Sequence, residues 1–363
     1  MIIATHIANQ IGGDPIWLLT IAPPSNAKTE ILRAFNDHPD TYFLSSLTAS
    51  TFISGKKAEK SDPNPSLLFK LNDKTLILKD FTTILSMRHE QRQEIISQLR
   101  EIHDGSCSKA FGTGQTIFWK GHVGLIAACT PVYDKYYSVI GAMGDRFLLY
   151  RNKTNNAREM AIQAQKAVGK EVEMRDEIRK SFFRFINQFG EMKNTEIKSD
   201  ETILNKIVNL ACFCSYARCP VERDSYTRNI QYQPEPEGTP RLTKQFIQLG
   251  NALALIHGKD TIDEHVYEIL KRIGKDLISV QRLKILEYIW EEQKSEKVFG
   301  CPSTKEIATA LKMPINTALF ILEDFMVIGV LNRDLEDPDK EKSPYLWQIS
   351  KSVHEWISDS KVF

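Results

Sequence analysis

Four short apolar runs, each bounded by helical or turn-forming sequence, do most to limit what this chain can become. Trp17-Leu-Leu-Thr-Ile21, Thr75-Leu-Ile-Leu78, Gly124-Leu-Ile-Ala-Ala-Cys129 and Phe147-Leu-Leu-Tyr150 show almost no polar alternation. A strand without alternation is one that is buried on both faces. Helical patterns lie between the runs, at Ile2-to-Ile11 and at Lys28-to-Phe35. The spacing predicts an α/β fold in which helices cover both faces of a parallel sheet.

Beyond about Asn155 the pattern becomes helical, with segments expected at 155–190, 200–218, 241–258 and 261–277. Gln233-Pro-Glu-Pro-Glu-Gly-Thr-Pro240 is a loop, because three prolines and a glycine break any regular element. Leu242, Phe246, Leu249, Leu253 and Ile256 then recur at helical spacing. From residue 278 the pattern changes again. Leu283-to-Trp290 is helical, and Ser303 with Glu306 forms a capping-box signature. Pro314 breaks the chain, a helix follows over 317–327, and Gly329 stands as its C′ residue. Two short runs, Gly329-Val-Leu-Asn and Tyr345-Leu-Trp-Gln-Ile349, flank a charged turn. Helices followed by a two-stranded ribbon give the order of a winged helix-turn-helix. Three domains are expected: an α/β core over 1–153, a helical lid over 154–277 and the winged helix over 278–363.

Composition excludes several classes. A chain of 363 residues that is 42% hydrophobic and 26% charged is not a disordered one. No apolar run approaches the ~20 residues of a membrane span. The start, Met1-Ile-Ile-Ala-Thr-His, lacks the basic and apolar regions of a secretory signal. Lys+Arg at 47 against Asp+Glu at 46 leaves a net charge of +1, which argues against coating nucleic acid by bulk charge but allows a local basic patch. Cys212, Cys214 and Cys219 lack the paired spacing of common zinc sites and read as helix cysteines, while Cys129 reads as core. Six cysteines without a disulfide pattern point to a reducing, cytoplasmic location.

The chemistry concentrates after the first run. Ala22-Pro-Pro-Ser-Asn-Ala-Lys28-Thr29 follows a strand and opens a helix. That is the setting of a phosphate loop, where backbone N–H groups cradle anionic oxygens. Pro24, Ser25, Asn26 and Ala27 would form the cradle, Lys28 would reach the terminal phosphates and the Thr29 hydroxyl would help hold Mg²⁺. Asp80 ends the Leu76-Ile-Leu-Lys-Asp80 run, where an acid can hold Mg²⁺ or orient an attacking water. Thr130 ends the next strand and can place a hydroxyl near the γ-phosphate. Arg146 precedes the last strand, as an arginine finger serving a neighbouring subunit would. Arg241 opens the amphipathic helix after the proline loop. Each residue taken singly also fits a plain strand–turn–helix or a solvated surface.

In their order these elements resemble an AAA+ ATPase of the minichromosome-maintenance (MCM) type, especially the MCM-like helicases of phages and other bacterial mobile elements. Those proteins carry G-D-P-G-x-A-K-S, so Ala27 before Lys28 fits the family. Lys109-Ala110, Gly112-Thr-Gly114 and Ala128-Cys-Thr-Pro131 resemble the pre-sensor hairpin and sensor 1, Asp145-Arg146-Phe147 resembles the S-R-F finger, and Arg241-Leu-Thr-Lys-Gln-Phe resembles the sensor 2 helix. The resemblance covers about 15–150 and 240–277. It implies an AAA+ P-loop sheet with a lid, ATP and Mg²⁺ as cofactors, a homo-oligomer with a hexamer favoured, and single-stranded DNA in a central channel.

The chain departs from the family at instructive places. Ala22 and Ser25 replace glycines, and a Cβ restricts φ > 0. Where the family has I-D-E-F this chain has Leu78-Lys79-Asp80-Phe81, so Lys79 stands for the Mg²⁺ aspartate and Asp80 for the catalytic glutamate. With the loop opening at residue 22, no counterpart of the family's N-terminal DNA-binding domain is expected. DNA contacts are expected on the hairpin 108–120, from Lys109, Phe111 and Lys120, with Phe118 and Trp119 beside them. The helix 317–327 carries Glu323 and Asp324 and no Lys or Arg, which suits a protein partner better than a DNA groove. Three functions fit: an ATP-driven helicase or translocase, a nucleotide-switched DNA-binding regulator or loader with slow or no hydrolysis, and a non-enzymatic adaptor.

Overall fold

The computed structural model describes residues 1–48, 50–54, 66–112, 114–142, 146–152, 156–189, 197–224, 226–294, 300–335 and 343–363. The chain divides into two units, Met1–Ile197 with Asn251–Asp260, and Lys198–Gly250 with Thr261–Phe363. This differs from the three-part division expected from the sequence, because the residues of the expected lid are shared between the two units.

In the first unit, helix α1 (Ile2–Ile11) precedes strand β1 (Trp17–Ile21). Helix α2 (Lys28–Arg33), strand β2 (Thr41–Leu44), helix α3 (Leu67–Lys70), strand β3 (Lys74–Leu78), helix α4 (Thr82–Leu85) and helix α5 (His89–His103) follow. A hairpin of β4 (Ser106–Ala110) and β5 (Thr116–Lys120) leads to β6 (Val123–Cys129), helix α6 (Tyr137–Ala142) and β7 (Phe147–Arg151). Helices α7 (Ala157–Ala167) and α8 (Glu171–Asn187) complete the unit's named elements up to Ile197. The expected helix 155–190 is thus two helices, parted at Gly169, whose φ of +81° ends α7.

The sheet has five strands in the order β2-β3-β6-β1-β7, and every pairing is parallel. Every residue of β1 and β6 is buried, which is why those strands read as unbroken apolar runs. Strand β2 was not expected; it is a short edge strand, half-buried along most of its length, just after Pro39.

Helix α1 is buried nearly all round, and one residue explains how closely it lies to the sheet. Asn9 donates to the Thr5 and Ile16 carbonyls and accepts from the Ile16 N–H at 2.8 Å. A Cβ on Gly124 of β6 would stand 2.5 Å from the Asn9 side chain, so glycine there is what permits the approach. His6, on the same helix, is fully buried. Burial first, and His38 second, push its pKa down from 6.5 to about 3. Below pH 6.5 the unfolded chain therefore binds a proton that the folded chain refuses. Stability falls as pH falls from about 6 toward 4, with this group contributing about 1.4 kcal/mol per pH unit. His6→Phe is expected to flatten the plot of unfolding free energy against pH by that slope; an unchanged slope would refute the assignment.

The second unit contains α9 (Glu201–Ala217), most of α10 (Pro240–Ile256), α11 (Glu264–Asp276), α12 (Val280–Lys294), α13 (Thr304–Ala310), α14 (Ile315–Val327) and α15 (Lys351–Ser360). Two strands, β8 (Lys198–Ser199) and β9 (Thr261–Ile262), pair in parallel, and β10 (Leu331–Leu335) pairs antiparallel with β11 (Tyr345–Ile349). The capping box forms: the Ser303 side chain accepts from Glu306 N–H, and the Glu306 carboxylate accepts from Ser303 N–H at 2.7 Å. Gly329 takes φ +76° after α14. Helix α15, which sequence reading did not separate, ties the C-terminus to α9 through Tyr216–Trp356 and Phe213–Phe363 ring contacts at 4.9 and 5.5 Å. Cys212, Cys214 and Cys219 are free, and burial pushes the Cys214 thiol up to about 12. Among the described residues no helix is long and apolar enough to cross a membrane.

Candidate functional site

The strand order dictates where a ligand belongs. The chain leaves β1 toward β2 on one side and leaves β6 toward β7 on the other. Right-handed crossovers then lie on opposite faces and open a crevice at the carboxyl ends of β1 and β6. The register brings those ends level: Ile21 lies opposite both Cys129 and Arg151, and Leu78 opposite Ala127. A cleft of about 1350 Å³ opens there. Pro24, Ser25, Asn26, Ala27, Lys28 and Thr29 line it, together with Asp80 and Thr130. Eight residues singled out from the sequence therefore meet in one place.

The loop into α2 keeps its curvature without glycine. Ser25 and Ala27 take φ of +62° and +51°, while Asn26 between them does not. Non-glycine residues in this region cost roughly 1–3 kcal/mol each and persist where the surroundings over-determine them. Alternating backbone handedness of this sort turns successive N–H groups into one concavity. The Lys28 ammonium closes the loop from within, donating to the Ala22 carbonyl and, at 2.7 Å, to the Pro23 carbonyl. Burial lowers the Lys28 pKa below its ordinary value, against the opposing pull of Cys129 and Asp80.

Asp80 is held by its own turn. Its Oδ1 accepts from the Thr82 N–H at 2.8 Å, and the Thr82 hydroxyl accepts from the Thr130 N–H at 3.1 Å. The Thr82 hydroxyl also lies 3.5 Å from the Thr130 hydroxyl. Asp80, Thr82 and Thr130 are thus one hydrogen-bonded chain across the ends of β3 and β6. Thr82 was missed from sequence, although Asp80 two residues before a helix is a readable capping signal. Also missed were Asn152 beyond β7, Asn156 capping α7, and the face of α7 bearing Met160 and Ala164, all of which line the cleft. Lys79 lines it too. Glu30, beside it, is held below the usual carboxylate range first by Arg175, with Arg33 adding to the effect.

Other expectations meet a different outcome. Arg146, expected as a finger toward a neighbouring subunit, is paired within its own chain. Its side chain is 9% exposed and grips Asp104 in a two-point pair at 2.7 and 3.1 Å. It also precedes the amino end of β7, at the other end of the strand from the cleft. Asp145 of the same motif lies outside the described residues. Arg241 belongs to the second unit, where it stands 3.8 Å from Glu237.

The hairpin expected over 108–120 forms, with Ser106 opposite Lys120 and Lys109 opposite Ile117. Lys120 is exposed, and Phe118 is 63% exposed on the same face. Lys109 lies on the other face, 3.5 Å from Glu94, and Phe111 is half-buried. Trp119 is core, so only part of the expected set reaches solvent together. Thr113 lies outside the described residues, as do Lys340 and Lys342 of the charged turn. In the second unit, the acids of α14 are already used: Arg223 donates to Asp324 at 2.8 Å and to Glu323 at 3.1 Å, and stacks over Phe320 at 4.8 Å.

Among the described residues no cluster of three His, Cys, Asp or Glu side chains could hold a metal ion by itself. Thr29 and Asp80 both line the cleft, and a hydroxyl and a carboxylate are oxygen donors of the kind Mg²⁺ takes. No family model and no curated protein matches this chain.

Proposed function

We propose that the chain is an ATP-binding protein of the AAA+ type that acts on DNA, as an ATP-driven MCM-like helicase or translocase of a phage or mobile element. The observation that carries this reading is the convergence of Lys28, Thr29, Asp80 and Thr130 on one cleft at the carboxyl ends of a parallel sheet. When bound, Mg²⁺ and ATP supply the polarised phosphoanhydride that is cleaved. The protein's part is positional. The 22–27 loop presents backbone N–H groups to the phosphates, and Lys28 exchanges its two carbonyl partners for phosphate oxygens. Thr29 and Asp80 would hold the metal. The Asp80 carboxylate, fixed by Thr82, accepts a proton from water that the Thr130 hydroxyl helps to orient. In this reading the lid comes from the helices after β7, and α12 to β11 form a winged helix that packs on its own unit or meets a protein. The exposed face of the β4–β5 hairpin, with Lys120 and Phe118, is the DNA contact.

A second reading has its own support. Lys79 lines the cleft where the resembling family has an acid, and Arg146 is committed to Asp104. Both features favour a nucleotide-switched regulator or loader that binds ATP and turns it over slowly. One experiment separates these readings: ATP binding and ADP release measured with Mg²⁺, with and without single-stranded DNA. DNA-stimulated turnover supports the motor. Binding without turnover supports the switch. Absence of binding defeats both and leaves the adaptor. Ring assembly is read in parallel from the mass in solution.

A further inference from the structure

A second cavity, of about 180 Å³, lies in the first unit and shares no lining residue with the nucleotide cleft. Its walls are apolar side chains of α1, α8 and their surroundings, among them Ile7, Ile11 and Ile186. Its polar side consists of His6, Gln10 and His38, with Asp40 and Asn187 beside them. The Nε2 atoms of all three are buried; among the described residues those of His6 and Gln10 have no hydrogen-bond partner, and His38 has the Asn187 side chain beside it. Two orphaned nitrogens on one cavity, with a third met only at its edge, are far from the ordinary state of a core, where each such group costs about 1–3 kcal/mol.

The hydrogen positions follow from the partners on the other side of each ring. His38 Nδ1 accepts the Asp40 N–H at 3.3 Å, so its Nε2 carries the proton. His6 Nδ1 lies 2.9 Å from the Thr75 hydroxyl. Thr75 is fully buried, and His6 is the one acceptor its hydroxyl reaches among the described residues. Thr75 therefore donates, and His6 Nε2 also bears a proton. The Gln10 Nε2 is a donor by nature. Burial lowers the pKa of both imidazoles, so both are neutral at pH 7. The lining holds no Lys or Arg, and it includes Asp40.

We propose that this cavity is a binding site for a compact uncharged molecule that presents carbonyl-type oxygen to His6, Gln10 and His38 and an apolar body to Ile7, Ile11 and Ile186. A cavity of about 150 Å³ holds benzene, which sets the size of ligand at one substituted ring. The half-buried Gln10 and Asp40 and the exposed Asn187 mark the side open to solvent. Asn187 also stands beside His38 and opposes the lowering of its pKa.

Benzamide is the test probe, with toluene lacking the acceptor and benzoate adding a charge. Binding is read from the imidazole ring resonances of the full chain in solution. Benzamide is expected to move the His6 and His38 signals at least ~10-fold more tightly than either control, because each unmet donor is worth about a factor of ten. Gln10→Leu, on the half-buried rim, is expected to weaken benzamide about 10-fold while leaving toluene unchanged. Lys28→Ala is expected to leave benzamide binding intact, which separates this site from the nucleotide reading. Equal binding of toluene and benzamide overturns the proposal, as does a cavity that takes none of the three and holds water alone.

Discussion

Lys28→Ala is expected to weaken ATP binding at least ~100-fold and to bring ADP release to background. The ammonium makes two hydrogen bonds within the loop, to the carbonyls of Ala22 and Pro23. In the proposed site it would make two to phosphate instead. Charge-assisted bonds contribute about 1.5–3 kcal/mol each, so losing the pair costs 3 kcal/mol or more, roughly two decades in affinity. Folding should suffer little, since the Pro23 carbonyl reaches solvent and water replaces the lost donor. A thermal midpoint near that of wild type, together with lost binding in calorimetry, is the expected pair of results. If the variant and wild type bind and hydrolyse alike, the cleft is not where ATP acts.

Asp80→Asn tests the chemistry in place of the binding. Among the acids that line the cleft, Glu30 is held by Arg33 and Arg175, and Glu159 lies at the first turn of α7 with Asn156 donating to it at 3.0 Å. Asp80 is the carboxylate at the strand ends beside Thr130. A positioned general base contributes about 10²–10⁴-fold, and the substitution is expected to lower the turnover number by that range. Nucleotide affinity without Mg²⁺ should move by less than about threefold, whereas Mg²⁺-dependent affinity is expected to fall, because Asp80 is also proposed to hold the metal. Asparagine keeps an oxygen for the Thr82 N–H, so the turn survives. Single-turnover ADP formation measures the effect; an undiminished rate places the base elsewhere.

What could be read from the sequence divides along physical lines. β1, β3, β6 and β7 were legible because a strand buried on both sides carries its burial in its own composition. The loop, Asp80 and Thr130 were legible because each sits at a strand end, and parallel strands in register bring their ends together. β2 was not, since its four residues lie at the sheet edge and are mostly half-buried. Long-range pairing was invisible. Arg146 finds Asp104 from 42 residues away, and nothing in the local sequence separates a buried guanidinium from an exposed one. The same holds for α14, whose acids meet Arg223 about 100 residues earlier. The packing of α15 on α9 was equally unreadable, and it places a helix expected to belong to a lid in one unit with the C-terminus. Its apolar positions, Val353, Trp356 and Ile357, were spaced for a helix and could have been read.

The bend after β1 holds a last consequence. Most chains that wrap an anion do so with residues free to swing, and they must be quieted when the guest arrives. Here the curvature is moulded into Ser25 and Ala27, two residues with β-carbons, and a side chain from the same segment sits in the hollow as a stopper. If an anion is taken up here as proposed, it would displace the ammonium from a hollow whose curvature is already in place.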